Sequence, residues 1–333
     1  MSRPLLSVEM ITYNHDAYIA QAIEGVLQQK TSFPFELVIG EDCSTDRTRP
    51  IARDYQRRYP DIVRVITSDR NVGMIENGRR TFRACTGEYV AFCEGDDYWH
   101  RDDKLQLQVD YLERHPSCAL VCSDYDVLYE STGQRTRDWN QKCGLDPSGI
   151  RDPKYILRGT PSSGILTCTV VGRRSLLAQA REANADLLER GLQPCADTPL
   201  WTHMSRLGEI GYIAESLATY RERVESITHS RSKTKILRTS IAIKEQMLWL
   251  VEKYDLPEAE RALHVADLWK RKLKLAFYER DPEMAAEARE YLEHLSPREW
   301  LQFWGAGNSL VWHFVKMLVD PFERNLIPTV KKK

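Results

Sequence analysis

The sequence predicts an α/β protein with a mostly parallel central sheet, helices on both faces of that sheet, and a C-terminal helical subdomain. Two patterns support this prediction. Short apolar runs alternate with amphipathic helical segments in the first half of the chain, as in right-handed βαβ units. From about residue 235 onward, apolar residues recur only at helical spacing. A length of 333 residues is enough for one large domain and a smaller one.

The elements of the first half follow one another in a regular order. Strands are predicted at residues 5–11, 36–39, 63–66, 89–93 and 119–122. A helix is expected after each of the first four strands. The second of these helices accepts Pro50 in its first turn, where a missing N–H group costs little, and it ends before Pro60. Residues 130–162 are polar and form a long excursion, and residues 165–171 return to strand. We expect a domain boundary near residue 230.

Composition excludes several classes of protein. Lysine and arginine number 47 against 48 acidic residues, so we expect no nucleic-acid partner, which would require a basic excess. No apolar run reaches the about 18–20 residues of a membrane span. The N-terminal segment lacks the features of a cleaved signal peptide. Eight cysteines are scattered without a CxxC pair, which is typical of reduced thiols in a cytoplasmic protein and argues against a zinc site.

Polar turns follow three of the predicted strands, at residues 12–16, 41–46 and 94–99. Ligands bind beyond the carboxyl ends of parallel strands, so Tyr13, Asp42, Asp96 and Asp97 are expected at one edge. Two adjacent carboxylates repel each other unless a cation is near. Mg²⁺ and Mn²⁺ are bound by one or two carboxylates together with phosphate oxygens. The alternative for this pair of aspartates is a helix N-terminus, which Asp residues cap.

The chain resembles the family 2 glycosyltransferases, which have the GT-A fold. The similarity lies in residues 6–14, 36–46, 71–73, 87–91 and 95–99, together with Asn77. These segments occur in the family's order over roughly the first third of the chain. The resemblance implies transfer of a sugar from a nucleotide diphosphate-sugar to a hydroxyl acceptor, with inversion. It further suggests a role in bacterial cell-surface polysaccharide assembly.

The resemblance also implies roles for individual residues in holding the donor. Tyr13 would pack against the nucleotide base, and Asp42 would hydrogen-bond to that base. Asp96 would contact the ribose. Asp97 would ligate a divalent cation, Mn²⁺ or Mg²⁺, that bridges the diphosphate.

Thr12 and Asn77 complete the predicted donor site. Each of the two base-binding candidates has a simpler alternative. Tyr13 could be a strand-end aromatic that packs on the core. Asp42 could be a turn residue whose side chain bonds its own backbone.

The resemblance places the catalytic base about 100 residues after the paired aspartates, where Asp197 lies in the segment 194–201. An aspartate is already ionised at pH 7 and able to accept a proton from the acceptor hydroxyl. The alternative is that Asp197 caps a helix beginning at Thr198 and Pro199. Both roles are compatible, since a cap would hold the side chain in place.

One departure from the family concerns the end of the last core strand. Many relatives have Tyr-Arg-x-His there, and the histidine completes the metal site. This chain has Tyr220, Arg221, Glu222 and Arg223 instead. Three explanations remain open: His229 takes over as the ligand, the cation has fewer protein ligands, or Arg223 neutralises the diphosphate directly.

The expected domains are a glycosyltransferase domain at residues 1–230 and a helical region at 231–333. The first would divide into a nucleotide-binding half, about 1–125, and an acceptor half, about 126–230. The acceptor would be a saccharide or a lipid-linked saccharide. Aromatic and basic residues of the C-terminal helices, such as Trp300, Trp304 and Lys270, suit peripheral contact with the inner face of the cell membrane. The alternative is that these helices pack on themselves or on a second copy.

A second function remains open for the whole chain. It could be a non-catalytic module that binds a nucleotide-sugar or carbohydrate and recruits partners through its helical tail. Arg223, at the position of the expected histidine, favours this alternative. Such a module would bind a nucleotide without transferring a sugar.

Overall fold

A computed structural model of the chain describes residues 3–145, 156, 164–185, 187, 195–223 and 232–323. By their internal contacts, these residues form two compact units. The first lies within Met1–Asp186 and Cys195–Val224, and the second within Leu187–Pro194 and Glu225–Lys333. The candidate site residues described below all belong to the first unit.

The first unit is built on a central sheet. Its described strands are β1 Leu6–Thr12, β2 Phe35–Glu41, β3 Val63–Thr67, β4 Tyr89–Phe92, β5 Tyr98–Trp99, β6 Cys118–Tyr129, β7 Gln134–Thr136, β8 Val171–Arg173 and β9 Glu209–Glu222. Its described helices are α1 Ile19–Leu27, α2 Thr48–Arg58, α3 Met74–Ala84, α4 Lys104–Arg114, α5 Trp139–Lys142, α6 Arg174–Ala183 and α7 Asp197–Leu207. The strand order is β3-β2-β1-β4-β8-β6-β9-β5, and β7 pairs with β6.

Most of the sheet is parallel, as predicted. Strands β3, β2, β1 and β4 pair in parallel, and β6 pairs in parallel with β9. Strands β8, β5 and β7 pair antiparallel to their neighbours. The chain adds β2 and β3 on one side of β1 and then β4 on the other side. At such a reversal of strand order, a crevice is expected beyond the carboxyl ends of the strands.

Helices cover both faces of the sheet, as predicted, and the reason is visible in β2. Leu37 and Val38 are consecutive and point to opposite faces, and both are fully buried. Leu37 belongs to an apolar cluster with residues of α1, α2 and α4. Val38 belongs to a second cluster with residues of α3, α6 and α7. The middle of this strand is buried on both faces, which is why Leu37, Val38 and Ile39 form a short continuous apolar run.

The strand predicted at residues 165–171 is wrong in most of its length. Thr167–Thr169 form a short 3₁₀ helix, and the strand β8 begins only at Val171. The turn closes on Leu166, whose carbonyl accepts hydrogen bonds from the backbone N and the Oγ1 of Thr169, at 2.9 Å and 2.7 Å. The segment is buried, so its apolar composition reports burial rather than an extended backbone.

The edge strand β3 has its outward backbone groups occupied by side chains of α2. The backbone N of Val65 donates to Oε1 of Gln56 at 2.6 Å. The carbonyl of Val65 accepts from the guanidinium of Arg53 at 3.4 Å. The middle of this edge is therefore hydrogen-bonded within the chain.

The second unit consists of helices in the part that the structure describes, as predicted for the C-terminal region. They are α8 Lys233–Lys253, α9 Glu258–Glu279, α10 Pro282–Tyr291, α11 Pro297–Gly307 and α12 Ser309–Glu323. Trp269, Leu273 and Ala276 of α9 form a buried cluster with residues of α10 and α11. Ser296 and Glu299 form a capping box at the start of α11. Among the described residues, no helix has the length and apolarity that crossing a membrane requires.

Candidate active site

The predicted polar turns meet at the end of β1. The carbonyl of Thr12 accepts a hydrogen bond from the backbone N of Asp42 at 3.1 Å, and the carbonyl of Ile11 accepts one from the backbone N of Gly95 at 3.0 Å. A Cβ atom on Gly95 would lie 2.5 Å from Oγ1 of Thr12, so this close approach requires glycine. The Oγ1 of Thr12 is buried without a hydrogen-bond partner. The turns after β1, β2 and β4 therefore form one edge, as the sequence predicts.

Tyr13 lies just beyond β1 with 41% of its surface exposed. The alternative that it packs on the core is therefore wrong, and the ring is open to stack against a ligand. Asp42 is buried, and its two carboxylate oxygens accept hydrogen bonds from the backbone N atoms of Val72 and Gly73, at 2.8 Å and 2.9 Å. Asp42 thus holds a neighbouring loop rather than its own turn. Oδ1 also accepts a hydrogen bond from Oγ of Ser68 at 3.4 Å, while Oδ2 has a second lone pair, and the contact with the base stays a prediction.

Asn77 is buried in α3 and braces that helix against β2. Its Nδ2 donates to the carbonyl of Gly40 at 2.8 Å, and its Oδ1 accepts from Nε of Arg80 at 2.9 Å. The side-chain amide is engaged within the protein on both sides. Its role in donor binding stays a prediction.

Asp97 is buried, and the backbone N of Arg221 in β9 donates to its Oδ1 at 2.9 Å. Burial, together with the charge of Asp96, raises the pKa of the Asp97 carboxyl above its usual range. The Oε2 of Glu94 is buried without a hydrogen-bond partner. Burial raises the pKa of Glu94 as well, and the charges of Asp97 and Asp197 add to that effect. The carboxyl groups of Asp97 and Glu94 therefore lie where nearby positive charge does not offset their burial.

Asp96 is paired with the residue that departs from the family. The guanidinium of Arg223 lies 2.6 Å from Oδ2 of Asp96, and Nε2 of His15 lies 3.7 Å from the same oxygen. The guanidinium is also 3.4 Å from Nε2 of His15 and lies over the ring of Tyr18, 5.5 Å from its centre. The other candidate for the missing histidine, His229, lies outside the described residues.

The arrangement fits a divalent cation only if a ligand supplies most of the coordination. No three His, Cys, Asp or Glu side chains are grouped to hold a metal ion within the ranges that the structure describes. The unpartnered oxygen of Glu94 and the raised pKa of Asp97 nevertheless indicate a site that a cation would stabilise. Asp97 is the residue best placed to hold it, since Mg²⁺ is commonly bound by one or two carboxylates plus substrate phosphates.

Asp197 is the first residue of α7, and Ala196 occupies the N-cap position without a side-chain bond. The alternative that Asp197 caps the helix is therefore wrong. Its Oδ2 instead accepts a hydrogen bond from Oγ1 of Thr167 at 2.7 Å. Burial raises the pKa of Asp197, while the Thr167 bond and the charge of Arg181 lower it. One turn along α7, Trp201 is buried in edge-to-face contact with Phe92 of β4, which anchors the helix.

Some residues of the site escape sequence reasoning. Thr167 holds Asp197 from a distance of 30 residues, and Arg223 reaches Asp96 and His15 from the far end of the domain. No local pattern marks such long-range partners. Glu94 is different, because it lies beside the paired aspartates, and a third carboxyl in that turn was a visible signal.

Comparison with known proteins gives consistent matches. A family model described as glycosyl transferase family 2 matches residues 7–179. An uncharacterized protein of Mycobacterium tuberculosis is 33% identical over 229 residues, which are 68% of this chain and 61% of that protein. TuaG of Bacillus subtilis, a glycosyltransferase named for teichuronic acid biosynthesis, is 27% identical over 69% of this chain and 84% of its own length. The chain thus spans about three fifths of the mycobacterial relative.

Two solved structures share the fold. Staphylococcus aureus TarS 1–349 in complex with UDP-GlcNAc matches with a TM-score of 0.53 at 19% identity, covering 90% of this chain and 79% of that one. The mannosyltransferase PcManGT from Pyrobaculum calidifontis, in complex with GDP-Man and Mn²⁺, matches with a TM-score of 0.52 at 17% identity, covering 99% and 89%. These similarities confirm the predicted GT-A fold.

Proposed function

The chain belongs to glycosyl transferase family 2, and from that membership we propose that it transfers a sugar from a nucleotide diphosphate-sugar to a hydroxyl acceptor with inversion at the anomeric carbon. One observation carries the proposal. Burial raises the pKa of Glu94, and the charges of Asp97 and Asp197 add to that effect, which supports the proposal that the donor carboxylates and the candidate base act on the same substrate. A base on one side of the sugar and the diphosphate on the other is the arrangement that an in-line displacement requires.

The residues of the chain have separate tasks in this reaction. Tyr13 stacks against the base, Asp42 hydrogen-bonds to it, and Asp96 contacts the ribose, while Thr12 and Asn77 shape the same pocket. Asp97 would hold a divalent cation, Mn²⁺ or Mg²⁺, whose charge offsets that of the leaving diphosphate.

Asp197 accepts the proton of the attacking hydroxyl, as a general base. Thr167 supports this step in two ways. Its hydrogen bond keeps the carboxylate aimed, and because the hydroxyl donates to the charged form, it favours an ionised Asp197.

The test is Asp197→Asn, assayed by nucleoside diphosphate release from a panel of nucleotide-sugars with candidate saccharide acceptors, in Mn²⁺ and in Mg²⁺. Turnover should fall by about 10²–10⁴-fold, because a general base contributes on that scale, while nucleoside diphosphate binding is retained. Asp54→Asn is the matched control and should be unaffected, because the side chain of Asp54 on α2 is about half exposed and pairs with Arg57 of the same helix. Full activity of Asp197→Asn would remove it as the base.

A binding module without transfer is the second candidate, and the pairing of Arg223 with Asp96 favours it. That module would bind a nucleoside diphosphate and release nothing from any donor under any of these conditions. Transfer from a single donor would exclude it.

We also propose that the acceptor is a saccharide or lipid-linked saccharide of cell-surface polysaccharide assembly, reached from the cytoplasm. The name of TuaG supports this assignment. Exposed Trp304, Leu310 and Phe314 on the C-terminal helices support peripheral contact with the inner face of the membrane. Sedimentation with anionic vesicles tests the contact, and Trp304→Ser should weaken it. If the wild type does not sediment with the vesicles, the helices instead pack on themselves or on a second copy.

A further inference from the structure

Arg223 has hydrogen-bond donors that its contacts within the protein do not use. Of its five N–H donors, those on one terminal nitrogen contact Asp96 and His15, and its Nε is buried without a hydrogen-bond partner. The side chain is 21% exposed, so it is neither locked in the core nor free in solvent. Its position at the carboxyl end of β9 puts a guanidinium directly on the carboxylate assigned to the ribose.

Neighbouring groups do not supply the same charge. Burial lowers the pKa of His15, which favours the neutral form of its imidazole. Arg221 is only 7% exposed, and its guanidinium is already bound to Glu130 and Gln21. Within the described part of the chain, Arg223 is the permanently charged group that lies in contact with Asp96.

A diphosphate that arrives beside Asp96 competes for that guanidinium. An arginine fork binds phosphate oxygens through two parallel N–H bonds, and a diphosphate as a whole carries at least two negative charges where a carboxylate carries one. The Tyr18 ring under the guanidinium stays in place as a platform whichever anion is bound. Asp96, once released, can accept hydrogen bonds from the ribose hydroxyls.

We propose that Arg223 is a diphosphate-binding residue that exchanges Asp96 for the donor, and that it makes donor binding only weakly dependent on a divalent cation. This inference rests on the proposed function, because it takes the nucleotide diphosphate as the ligand. The exchange couples the two halves of the donor: the ribose contact forms when the phosphate contact forms. The cation assigned to Asp97 then adds its positive charge to that of the Arg223 guanidinium.

The test is calorimetric titration of the full chain with UDP and with GDP, in EDTA and in Mn²⁺. The wild-type protein should bind one of them with affinities in the two conditions that differ by less than about tenfold. Arg223→Ala should weaken binding in EDTA by about 10- to 100-fold, the scale of a lost hydrogen bond to a charged group. Arg223→Lys should recover part of the loss, since it keeps the charge without the fork.

Arg223→His is the informative variant, because it introduces a group that can ligate a cation. It should bind poorly in EDTA and recover in Mn²⁺. Arg135→His is the matched control, since Arg135 forms an ion pair with Asp126 at 2.7 Å elsewhere in the sheet, and it should bind like the wild type. If wild-type binding is lost in EDTA and Arg223→Ala leaves binding in Mn²⁺ unchanged, Arg223 only braces Asp96 and the inference is wrong. If neither nucleotide binds in either condition, the proposed function itself fails.

Discussion

At the scale of single residues, the hydrogen bond from Thr167 to Asp197 shows how a neighbour can set the protonation state of a base. The hydroxyl donates to the carboxylate and thereby lowers its pKa against the raising effect of burial. Thr167→Val removes the donor and keeps the shape. The pKa of Asp197 should therefore rise, and the acid limb of the turnover profile should move to higher pH by up to about one unit.

The measurement is the pH dependence of turnover between pH 5 and 9. Thr167→Ser keeps the hydroxyl and should restore the wild-type profile. A Thr167→Val enzyme that loses activity equally at every pH would show that Thr167 acts only on the position of Asp197.

The buried side chain of Lys104 should make the stability of the protein depend on pH. It is fully buried, its Nζ donates to Oε1 of Gln108 at 2.6 Å, and burial lowers its pKa to about 7. An unfolded lysine titrates near 10.4, so between about pH 7 and pH 10 the unfolded chain binds more protons than the folded one. The contribution of Lys104 to the free energy of unfolding therefore rises with pH in that window, by up to about 1.4 kcal/mol per unit, and is constant below it.

Urea unfolding of wild type and Lys104→Met between pH 6 and 9 tests this contribution. The stability of the wild type relative to the variant should increase with pH above 7. Lys142→Met, at an exposed position, should keep the wild-type slope. Parallel pH profiles for wild type and Lys104→Met would contradict the prediction.

At the scale of elements, two glycines differ in whether their surroundings leave room for a side chain. A Cβ on Gly87 would lie 2.6 Å from the backbone N of Ser7 and 2.7 Å from the carbonyl carbon of Leu6, so β1 and the start of β4 would have to separate. A Cβ on Gly78, inside α3, would meet its nearest atom at 3.6 Å, which is ordinary contact. Gly87→Ala should destabilise the fold by about 1–3 kcal/mol, or more. Gly78→Ala should stabilise it by about 0.5–1 kcal/mol.

Chemical denaturation of the two variants beside the wild type measures both effects. The opposite signs make each variant the control of the other. A shift in the same direction for both would mean that the backbone at Gly87 adapts.

Local sequence pattern was sufficient for the strands that consist mainly of apolar residues. The strands β1 to β4 are apolar over most of their length, and each was predicted within a few residues of its observed bounds. The strand β6 was placed but predicted too short. Its pairing with β9 shifts register at Ser123, Asp124 and Tyr125, and such irregularities break the alternation that marks a strand. The strand prediction at residues 167–169 was wrong, because a buried turn can have the same composition as a strand.

The candidate site was predictable to a similar extent. Turns at the ends of neighbouring parallel strands must meet, so Tyr13, Asp42 and Asp96 could be placed together without coordinates. The partner of Asp96 could not be predicted. Arg223 lies 127 positions further along the chain (223 minus 96), and only the pairing of β9 with its neighbours brings it back.

At the scale of the whole molecule, each compact unit has its own buried apolar cluster. We therefore expect two transitions in differential scanning calorimetry. A nucleoside diphosphate at about 100 times its Kd should raise the midpoint of one transition by roughly 5–10 °C and leave the other unchanged, since binding stabilises only the unit that holds the ligand. A single transition that shifts as a whole would show that the units unfold together.

The side chains that α2 places on the edge strand β3 bear on how the protein behaves at high concentration. A bare strand edge is a template on which another molecule can add a strand and so begin an aggregate. Here Gln56 and Arg53 already occupy the outward N–H and carbonyl of Val65, and the side chain of Arg64 beside it is about half exposed and charged. A foreign strand would have to displace both hydrogen bonds and bury that charge. The helix that covers one face of the sheet thus also protects its edge from self-association.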